Sequence, residues 1–262
     1  MKNNNFIKVL DYDLKQLNKK NLREIKTLLD QNGALLFKNQ NLKPKNLLMF
    51  GKSLGKPIIH KFSKTIKNYP EIMKLVKNKT DKKMFGGIWH TDSTYLEKPP
   101  RYTMLYPTKL PRKGLGGTKF SCQVKAYNNL DNKLKKEIKK LYSYNSSQTK
   151  LASFRGNNPK KKFIELTAFH KLTKKLPKNK TSLYYSPGHI KYLSLSNKFV
   201  KIPKNEKEIK NILLKSSTAK DKTITHHWEI GDLLIWNNYR TMHRPINNFK
   251  NEKRAMLRLS LI

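Results

Sequence analysis

The sequence has very little cysteine and no long apolar run. Cys122 is the only cysteine among the 262 residues, which excludes a disulfide within the chain and any zinc site built on cysteine. No segment approaches the roughly 20 consecutive apolar residues of a membrane-spanning helix, and the first residues lack the apolar run of a secretory signal. We therefore expect a cytoplasmic protein without a membrane partner.

Arginine and acidic side chains are also scarce, although the chain is strongly basic. The net charge is +40, from 57 basic and 17 acidic residues, and only 8 of the basic residues are arginine. Phosphate and base recognition usually uses arginine, and the lysines are spread along the whole chain. We interpret the charge as a solvated lysine-rich surface that attracts small anions, and nucleic acid is not the expected partner. A lysine-driven nucleic-acid-binding protein is the alternative from another function class, and it predicts binding that weakens steeply with salt.

The apolar pattern predicts helices mostly at the front of the chain and short strands in its second half. Periodic apolar residues predict helices over residues 13–31, 44–54, 132–142 and 205–215. Short apolar or alternating segments predict strands over residues 34–37, 71–76, 101–106, 118–121, 182–185, 223–228, 233–236 and 254–262. This order predicts a single α+β domain over residues 1–262, built on an antiparallel β-sandwich or barrel. The polar segment 143–182 is expected to hold long loops or a lid over a site.

One short stretch, Trp89-His90-Thr91-Asp92, offers an imidazole and a carboxylate two residues apart. In an extended strand such residues point to the same face, so His90 and Asp92 can reach one metal ion together. His243, which lies before the last strand, is the candidate third ligand. Two histidines and one carboxylate, with open positions, suit a non-haem Fe(II) ion that activates oxygen. A lone histidine is more often an ordinary polar residue, and the chain has seven, so the site needs support from other motifs.

The last strand alternates Arg254, Met256, Arg258 and Ser260 with apolar residues. Both arginines therefore lie on one face, roughly 13 Å apart at ~3.3 Å per residue. If that face is buried, the guanidinium groups need internal carboxylates or anionic ligands as partners. The scarcity of acidic residues favours anionic ligands.

The order of these motifs resembles the taurine dioxygenase/2,4-dichlorophenoxyacetate dioxygenase family of Fe(II)- and 2-oxoglutarate-dependent oxygenases. The resemblance covers nearly the whole chain, and Arg254 and Arg258 follow His243 by eleven and fifteen residues as in the family. The other matching segments are Gly33–Phe37, Phe50–Gly55, Trp89–Asp92, Pro99–Tyr106, Gly116–Thr118, Ala126–Leu130 and Gly231–Arg244. Together these segments are far more specific than any single one.

The resemblance implies a double-stranded β-helix, or jelly roll, with flanking helices. It also implies that His90, Asp92 and His243 bind Fe(II). Arg254 would pair with the distal carboxylate of the co-substrate 2-oxoglutarate, and the hydroxyl of Thr118 would hydrogen-bond it. With O2 as second co-substrate, the implied reaction hydroxylates a small anionic organic substrate, such as a sulfonate, carboxylate or phosphonate, and releases succinate and CO2.

The resemblance assigns two further residues to the substrate. Arg258 would face its acidic group, and His60 would contact it, with a structural loop histidine as the alternative for His60. Gly86-Gly87-Ile88 stands where taurine-type enzymes carry polar substrate contacts, which argues against taurine itself. An oxygenase of the same fold that tailors a natural product or larger metabolite is the nearer alternative. Family members often associate, so a homodimer or homotetramer is expected.

Two departures from the family motifs are visible. Trp236-Asn237-Asn238-Tyr239 stands where the family often has Trp-Asp-Asn-Arg before the distal histidine, so a local ion pair is not expected. The turn Gly116-Gly117-Thr118 lacks the acidic or amide residue that usually precedes the threonine.

Overall fold

The computed structural model describes residues 6–149, 151, 164–198, 200 and 205–262. Within these residues the α-helices are α1 (Lys19–Gln31), α2 (Pro44–Leu54), α3 (Gln123–Asn128), α4 (Asn132–Ile138) and α5 (Glu206–Thr218). The strands are β1 (Ile7–Leu10), β2 (Ala34–Phe37), β3 (Thr65–Ile66), β4 (Tyr69–Lys77), β5 (Tyr102–Lys109), β6 (Thr118–Cys122), β7 (Tyr142–Ser146), β8 (Thr167–Lys171), β9 (Thr173–Leu176), β10 (Lys180–Leu183), β11 (Ile190–Ser194), β12 (Thr223–His226), β13 (Leu233–Asn237), β14 (Thr241–Pro245) and β15 (Arg254–Leu261).

Two sheets enclose the interior of the domain. The larger has the strand order β1-β2-β13-β5-β15-β4-β3, and the smaller has the order β12-β6-β14. Neighbouring strands are antiparallel except for the parallel pair β1 and β2. Phe120 of the small sheet meets Trp236 of the large sheet with ring centroids 5.4 Å apart. The architecture is the α+β jelly roll with flanking helices that the sequence predicts.

Helices α1 and α2 cover the outer face of the large sheet. Leu35 and Phe37 of β2 point outward into a core with α1 and α2, whereas Leu36 points inward to the second sheet. Strand β13 divides its side chains in the same way. Because both faces of these central strands are covered, their sequence is a continuous apolar run instead of an alternation.

Two predicted helices differ from the structure, and a side-chain cap explains the difference in the first of them. Helix α1 begins after Asn18, not at residue 13, because Asn18 and Asn21 cap each other's backbone N–H groups. Asn is favoured at this capping position. Helix α4 ends at Ile138, and the chain enters β7 at Tyr142, so the predicted helix over residues 132–142 is too long. Helix α2 matches its prediction, with a proline at its first position.

The segment 143–182 contains more regular structure than the sequence suggests. Its described parts contribute to a three-stranded sheet of order β11-β7-β8 and to the hairpin β9-β10. Residues 150 and 152–163 lie outside the described residues. The lid over a site therefore stays a prediction.

Strands β7 and β8 hold the turn that follows Asp92. The Nε2 atom of His170 lies 2.9 Å from the carbonyl oxygen of Leu96, to which it can only donate. Thr94 Oγ1 donates to Asn145 Oδ1 over 3.0 Å. Burial, together with the nearby charge of Lys174, lowers the pKa of His170 to about 4.

We expect His170 to make the protein less stable as the pH falls from about 6.5 toward 4. The unfolded chain takes up this proton near pH 6.5, whereas the folded chain resists it until the pH approaches the lowered pKa of about 4. The contribution of His170 to the free energy of unfolding is complete above pH 6.5, where it is about 3 kcal/mol larger than below pH 4. In urea unfolding across this range, His170→Gln should lose correspondingly less stability than the wild type. The exposed His227, changed to Gln, is the control, and an unchanged acid loss in His170→Gln would contradict the prediction.

Candidate metal centre and ligand pocket

The backbone places His90 and His243 directly opposite each other. His90 N–H donates to the carbonyl of His243 over 3.0 Å, and His243 N–H donates to the carbonyl of His90 over 2.8 Å. This isolated antiparallel bridge brings the two rings to a centroid separation of 4.3 Å. The expected extended strand over residues 89–92 is wrong, because only His90 pairs and Asp92 begins a turn.

The turn directs Asp92 toward the two imidazoles. Its Oδ1 atom lies 3.7 Å from Nε2 of His90 and 3.7 Å from Nε2 of His243. One donor atom from each of the three buried residues lies within 4.8 Å of the others. The Oδ2 atom of Asp92 is buried without a hydrogen-bond partner among the described residues. Two nitrogen donors and one carboxylate at this spacing fit a divalent metal ion that keeps open coordination positions.

The electrostatic surroundings favour the protonation states of metal ligands. Burial lowers the pKa of His90 and lowers that of His243 to about 3, so both imidazoles are neutral. Burial would raise the pKa of Asp92, but the positive charge of Arg258 outweighs it and holds this pKa below its usual range. Neutral imidazoles beside an ionised carboxylate are what metal binding requires.

Contacts behind the imidazoles fix their orientation. Nδ1 of His90 lies 2.7 Å from the carbonyl oxygen of Ile88. Since a carbonyl can only accept, Nδ1 carries the proton and Nε2 is left as a donor for a metal. The ring of His243 packs against Trp236 at 4.7 Å and stacks on Phe120 at 5.9 Å.

One pocket joins the two histidines to three of the other predicted residues. Its polar lining includes His90, His243, Thr118, Arg254 and Arg258. The remaining walls are Leu75, Phe85, Gly86, Leu105, Trp236 and Pro245. The predicted ligand-binding residues therefore converge from four separate parts of the sequence.

Arg254 is a buried cation with unused hydrogen-bonding capacity. Its Nε atom donates to the carbonyl of Gly116 over 3.0 Å, while Nη2 has no hydrogen-bond partner among the described residues. Burial lowers its pKa to about 10, which leaves it charged at neutral pH. Gly116 has a φ of +66°, and a Cβ there would lie 3.2 Å from Arg254 Cδ, so glycine is needed at this contact.

A second buried cation lies on the strand beside Arg254. Lys77 is directly opposite Arg254 in the pairing of β4 with β15, and its side chain is buried. Its Nζ lies 3.5 Å from the carbonyl oxygen of Phe249 and 4.4 Å from that ring's centroid. Within the described ranges neither cation has a carboxylate partner. Arg254 therefore lines the pocket with a second buried cation on the neighbouring strand, although Lys77 is not itself a lining residue.

The hydroxyl of Thr118 is oriented by Trp228. The indole Nε1–H of Trp228 donates to Thr118 Oγ1 over 3.0 Å, and both side chains are buried. Because the oxygen of Thr118 accepts this bond, its own proton is available to an acceptor in the pocket.

Arg258 and His60 differ in how they relate to this pocket. Arg258 lines it and forms an internal ion pair, with Nη2 2.9 Å from Asp92 Oδ1. His60 is half-buried and is not among the lining residues; its Nε2 lies 3.3 Å from the hydroxyl of Tyr95. The ring of His60 contacts Phe85, a lining residue, at a centroid distance of 6.4 Å. A substrate contact by either residue stays a prediction.

The small residue Gly86 lies directly against the candidate ligand His90. It has a φ of +78°, and a Cβ there would lie 3.0 Å from Cε1 of His90. A side chain at this position would therefore press on the imidazole. The close approach of the backbone to His90 therefore requires glycine at this position.

Sequence reasoning missed several residues that support this pocket. The buried Asn238 accepts from the indole of Trp236 and donates to the buried Thr103, and Lys77 lies opposite Arg254 in the strand pairing. Alternation along the strand 101–106 could have placed Thr103 on the inward face. Lys77 gave no signal, because nothing in the sequence separates it from the many surface lysines.

A centre of two histidines and one carboxylate, buried in a jelly roll beside two arginines, is typical of non-haem Fe(II) oxygenases. The sequence model of the family described as "Taurine catabolism dioxygenase TauD, TfdA family" matches residues 4–260. The chain belongs to this family, which confirms the resemblance predicted from the motifs. Membership in a family of dioxygenases also disfavours the lysine-driven nucleic-acid binder.

Curated relatives carry related activities in their names. The chain is 27% identical over 237 residues to the alpha-ketoglutarate-dependent sulfonate dioxygenase of Saccharomyces cerevisiae, a match that covers 85% of this chain and 56% of the relative. It is 24% identical over 264 residues to the alpha-ketoglutarate-dependent 2,4-dichlorophenoxyacetate dioxygenase of Cupriavidus pinatubonensis, covering 90% and 87%. The chain thus spans little more than half the length of the first curated relatives that it matches.

A solved structure has the same fold. A taurine dioxygenase from Burkholderia xenovorans superposes with a TM-score of 0.80 at 22% identity, covering 98% of this chain and 88% of the other. Across the described part of the chain, no helix is both long and apolar enough to cross a membrane.

Proposed function

We propose that this protein is an Fe(II)- and 2-oxoglutarate-dependent dioxygenase that hydroxylates a small anionic organic substrate. One observation carries the proposal: the donor atoms of His90, Asp92 and His243 lie within 4.8 Å of one another, next to a pocket lined by Arg254. A metal site and a buried cation without an acidic partner in one pocket suit a metal ion together with an anionic co-substrate.

The three ligand residues would hold Fe(II) on one side of the pocket. With 2-oxoglutarate and O2, the bound iron supplies the oxidation of a substrate C–H bond to a hydroxyl group, and succinate and CO2 are released. The protein contributes neutral imidazoles, an ionised carboxylate and walls that exclude water. Its binding site therefore determines which molecules reach the iron.

Arg254 and Thr118 would hold 2-oxoglutarate at its distal carboxylate and orient it. The free Nη2 of Arg254 and the available hydroxyl proton of Thr118 are two donors for carboxylate oxygens. Hydrogen bonds between charged groups are shorter and stronger than neutral ones. Lys77 adds positive charge at the same end, which favours the dianion over a monoanion.

Arg258 would face the acidic group of the primary substrate. It points into the pocket from the same face of β15 as Arg254, four residues further along. Metal binding by Asp92 reduces the negative charge available to Arg258, and an incoming sulfonate, carboxylate or phosphonate offers a replacement. The names of the relatives, which include sulfonate and aryloxyacetate dioxygenases, support this substrate class.

The test is an anaerobic titration of the metal-free protein with Fe(II) and 2-oxoglutarate. A weak visible charge-transfer band should appear, and it should shift when candidate sulfonates, carboxylates or phosphonates are added. Arg258→Gln should form the band but lose the shift, because the substrate anion has lost its partner. Arg112→Gln, which changes an exposed arginine paired with Glu252, should behave like the wild type.

Two outcomes would contradict the proposal at different levels. If the wild type forms no band and makes no succinate in air, the dioxygenase function is rejected. If the band forms but no small anion shifts it, and Arg258→Gln matches the wild type, the small anionic substrate is rejected. That second result favours an oxygenase that tailors a larger metabolite.

A further inference from the structure

The backbone around the first candidate ligand has hydrogen-bond partners on two sides. On one side, the N–H and carbonyl of His90 pair with the backbone of His243 on β14. On the other side, the N–H of Gly188 donates to the carbonyl of Trp89 over 3.1 Å. Successive residues of an extended segment direct their backbone groups to opposite edges, so those of Thr91 face the side of Gly188. Their partner there is a side chain and not a second strand.

The hydroxyl of Ser186 completes this second edge. Ser186 lies in the connection between β10 and β11. Its Oγ atom accepts from the N–H of Thr91 over 3.0 Å and donates to the carbonyl of Thr91 over 3.2 Å. A serine hydroxyl has one proton and two lone pairs, so one side chain can make both bonds. Both residues are buried, and loss of this hydroxyl would therefore deprive two buried backbone groups of this partner.

The side chain of Thr91 ties the same residue to the strand of the third candidate ligand. Its Oγ1 atom donates to the carbonyl of Thr241 over 3.1 Å, and Thr241 lies two residues before His243 on β14. Thr91 itself stands between His90 and Asp92. It is therefore fixed through its backbone to the β10–β11 connection and through its side chain to β14.

The turn that carries Asp92 needs support of this kind. Ser93, the next residue, is buried and has a φ of +47°. Residues with a side chain rarely adopt this left-handed conformation, and it persists only where surrounding contacts determine it. The bonds to Thr91, directly before Asp92, are such contacts.

We propose that Ser186 and Thr91 are positioning residues that hold the candidate ligands on either side of Thr91 at the spacing that one metal ion requires. This proposal rests on the proposed function, since it requires His90 and Asp92 to be metal ligands. A purely structural role would lower the stability of the fold but leave the metal affinity of the folded protein unchanged. A positioning role requires that the two hydroxyl groups affect metal affinity separately from stability.

The test measures Mn(II) binding to the metal-free protein by electron paramagnetic resonance, without 2-oxoglutarate or turnover. Ser186→Ala removes the hydroxyl and should weaken Mn(II) binding by about 10- to 100-fold, the range found for residues behind metal ligands. Ser194→Ala is the matched control and should leave the affinity unchanged. Ser194 is also a buried serine, and its hydroxyl contacts the backbone carbonyls of Lys198 and Val200.

Two variants of Thr91 test the second hydroxyl. Thr91→Val keeps the shape and removes the hydroxyl, so it should weaken Mn(II) binding in the same direction as Ser186→Ala. Thr91→Ser keeps the hydroxyl and removes only the methyl group, so it should retain most of the wild-type affinity.

Thermal unfolding separates metal affinity from stability. Each metal-free variant is unfolded to show that it is folded at the temperature of the binding measurement. The thermal stabilisation that Mn(II) gives the wild type should shrink in Ser186→Ala and Thr91→Val, because it depends on affinity. If Ser186→Ala does not fold, Ser186→Cys, which keeps a weaker donor and acceptor, is measured by the same criterion.

The results distinguish this inference from the proposed function. If wild-type protein binds Mn(II) no better than His243→Ala, the metal centre itself is rejected. If the wild type binds Mn(II), but Ser186→Ala and Thr91→Val bind it equally well, only the positioning role is rejected. A loss of affinity in Ser194→Ala as large as that in Ser186→Ala also overturns the positioning role.

Discussion

Replacing Asp92 with alanine is expected to abolish metal-dependent turnover of 2-oxoglutarate. Asp92 is the carboxylate of the candidate centre among the described residues, and its Oδ1 atom lies 3.7 Å from Nε2 of both imidazoles. Removing this carboxylate should weaken metal binding by more than the roughly 10- to 100-fold that follows from changes to residues behind metal ligands. Succinate formation and Mn(II) binding are the two measurements.

The same substitution should also lower stability, for a reason that can be separated from catalysis. Arg258 would lose the buried carboxylate 2.9 Å away, and an unpaired buried charge typically costs about 3–5 kcal/mol. The double variant Asp92→Asn/Arg258→Gln removes both charges and should recover stability without recovering metal binding. The exposed Asp11, changed to alanine, is the control. Wild-type succinate formation by Asp92→Ala would refute the role of Asp92 as a ligand.

The elements of this fold that have local signals could be predicted from the sequence. Helix α2 has a proline at its first position and Gly55 just beyond its end, and the structure keeps both limits. Strand β15 alternates as predicted and presents Arg254 and Arg258 to one pocket. The start of α1 was missed because Leu14 extends the helical spacing. Leu14 lies instead in a turn, where its side chain is buried and its N–H donates to Oε1 of Gln40.

The metal centre was predicted from a motif, but its geometry depends on contacts between distant segments. The bridge between His90 and His243 joins residues far apart in the chain, and no local pattern encodes it. Asp92 reaches the centre from a turn, not from a strand. The pairing of Arg258 with Asp92 likewise depends on how β15 lies against this turn. The residue types of the site could therefore be predicted from the sequence. The partner of each charged side chain could be identified only from the folded structure.

Replacing Arg254 with methionine is expected to weaken 2-oxoglutarate binding while leaving the ligand-free protein as stable or more stable. The guanidinium is buried with Nη2 unpartnered among the described residues, and Lys77 lies directly opposite in the strand pairing. Like charges opposite each other are unfavourable, and replacing buried charges by apolar groups is often neutral or stabilising. The loss of the hydrogen bond to Gly116 works in the opposite direction.

Two measurements together test this expectation. The apparent KM for 2-oxoglutarate should rise on the order of 10- to 100-fold, because hydrogen bonds to charged groups contribute roughly 1.5–3 kcal/mol. The thermal stabilisation that 2-oxoglutarate gives the wild type should shrink in the variant, since that stabilisation depends on affinity. Arg254→Lys keeps a charge but not the paired donors. Its KM for 2-oxoglutarate should therefore lie between those of the wild type and Arg254→Met.

Lys77→Met is the matched change for the second cation. It removes the neighbouring charge but leaves the guanidinium donors, so it should raise the KM for 2-oxoglutarate less than Arg254→Met does. Added salt should change the effect of Lys77→Met only a little, because charges that are buried away from water are screened weakly. Arg254 is a structural residue if Arg254→Met keeps the wild-type KM for 2-oxoglutarate. The same conclusion holds if the variant lowers the melting temperature of the ligand-free protein by several degrees while this KM stays unchanged. The distal carboxylate of 2-oxoglutarate would then require another partner.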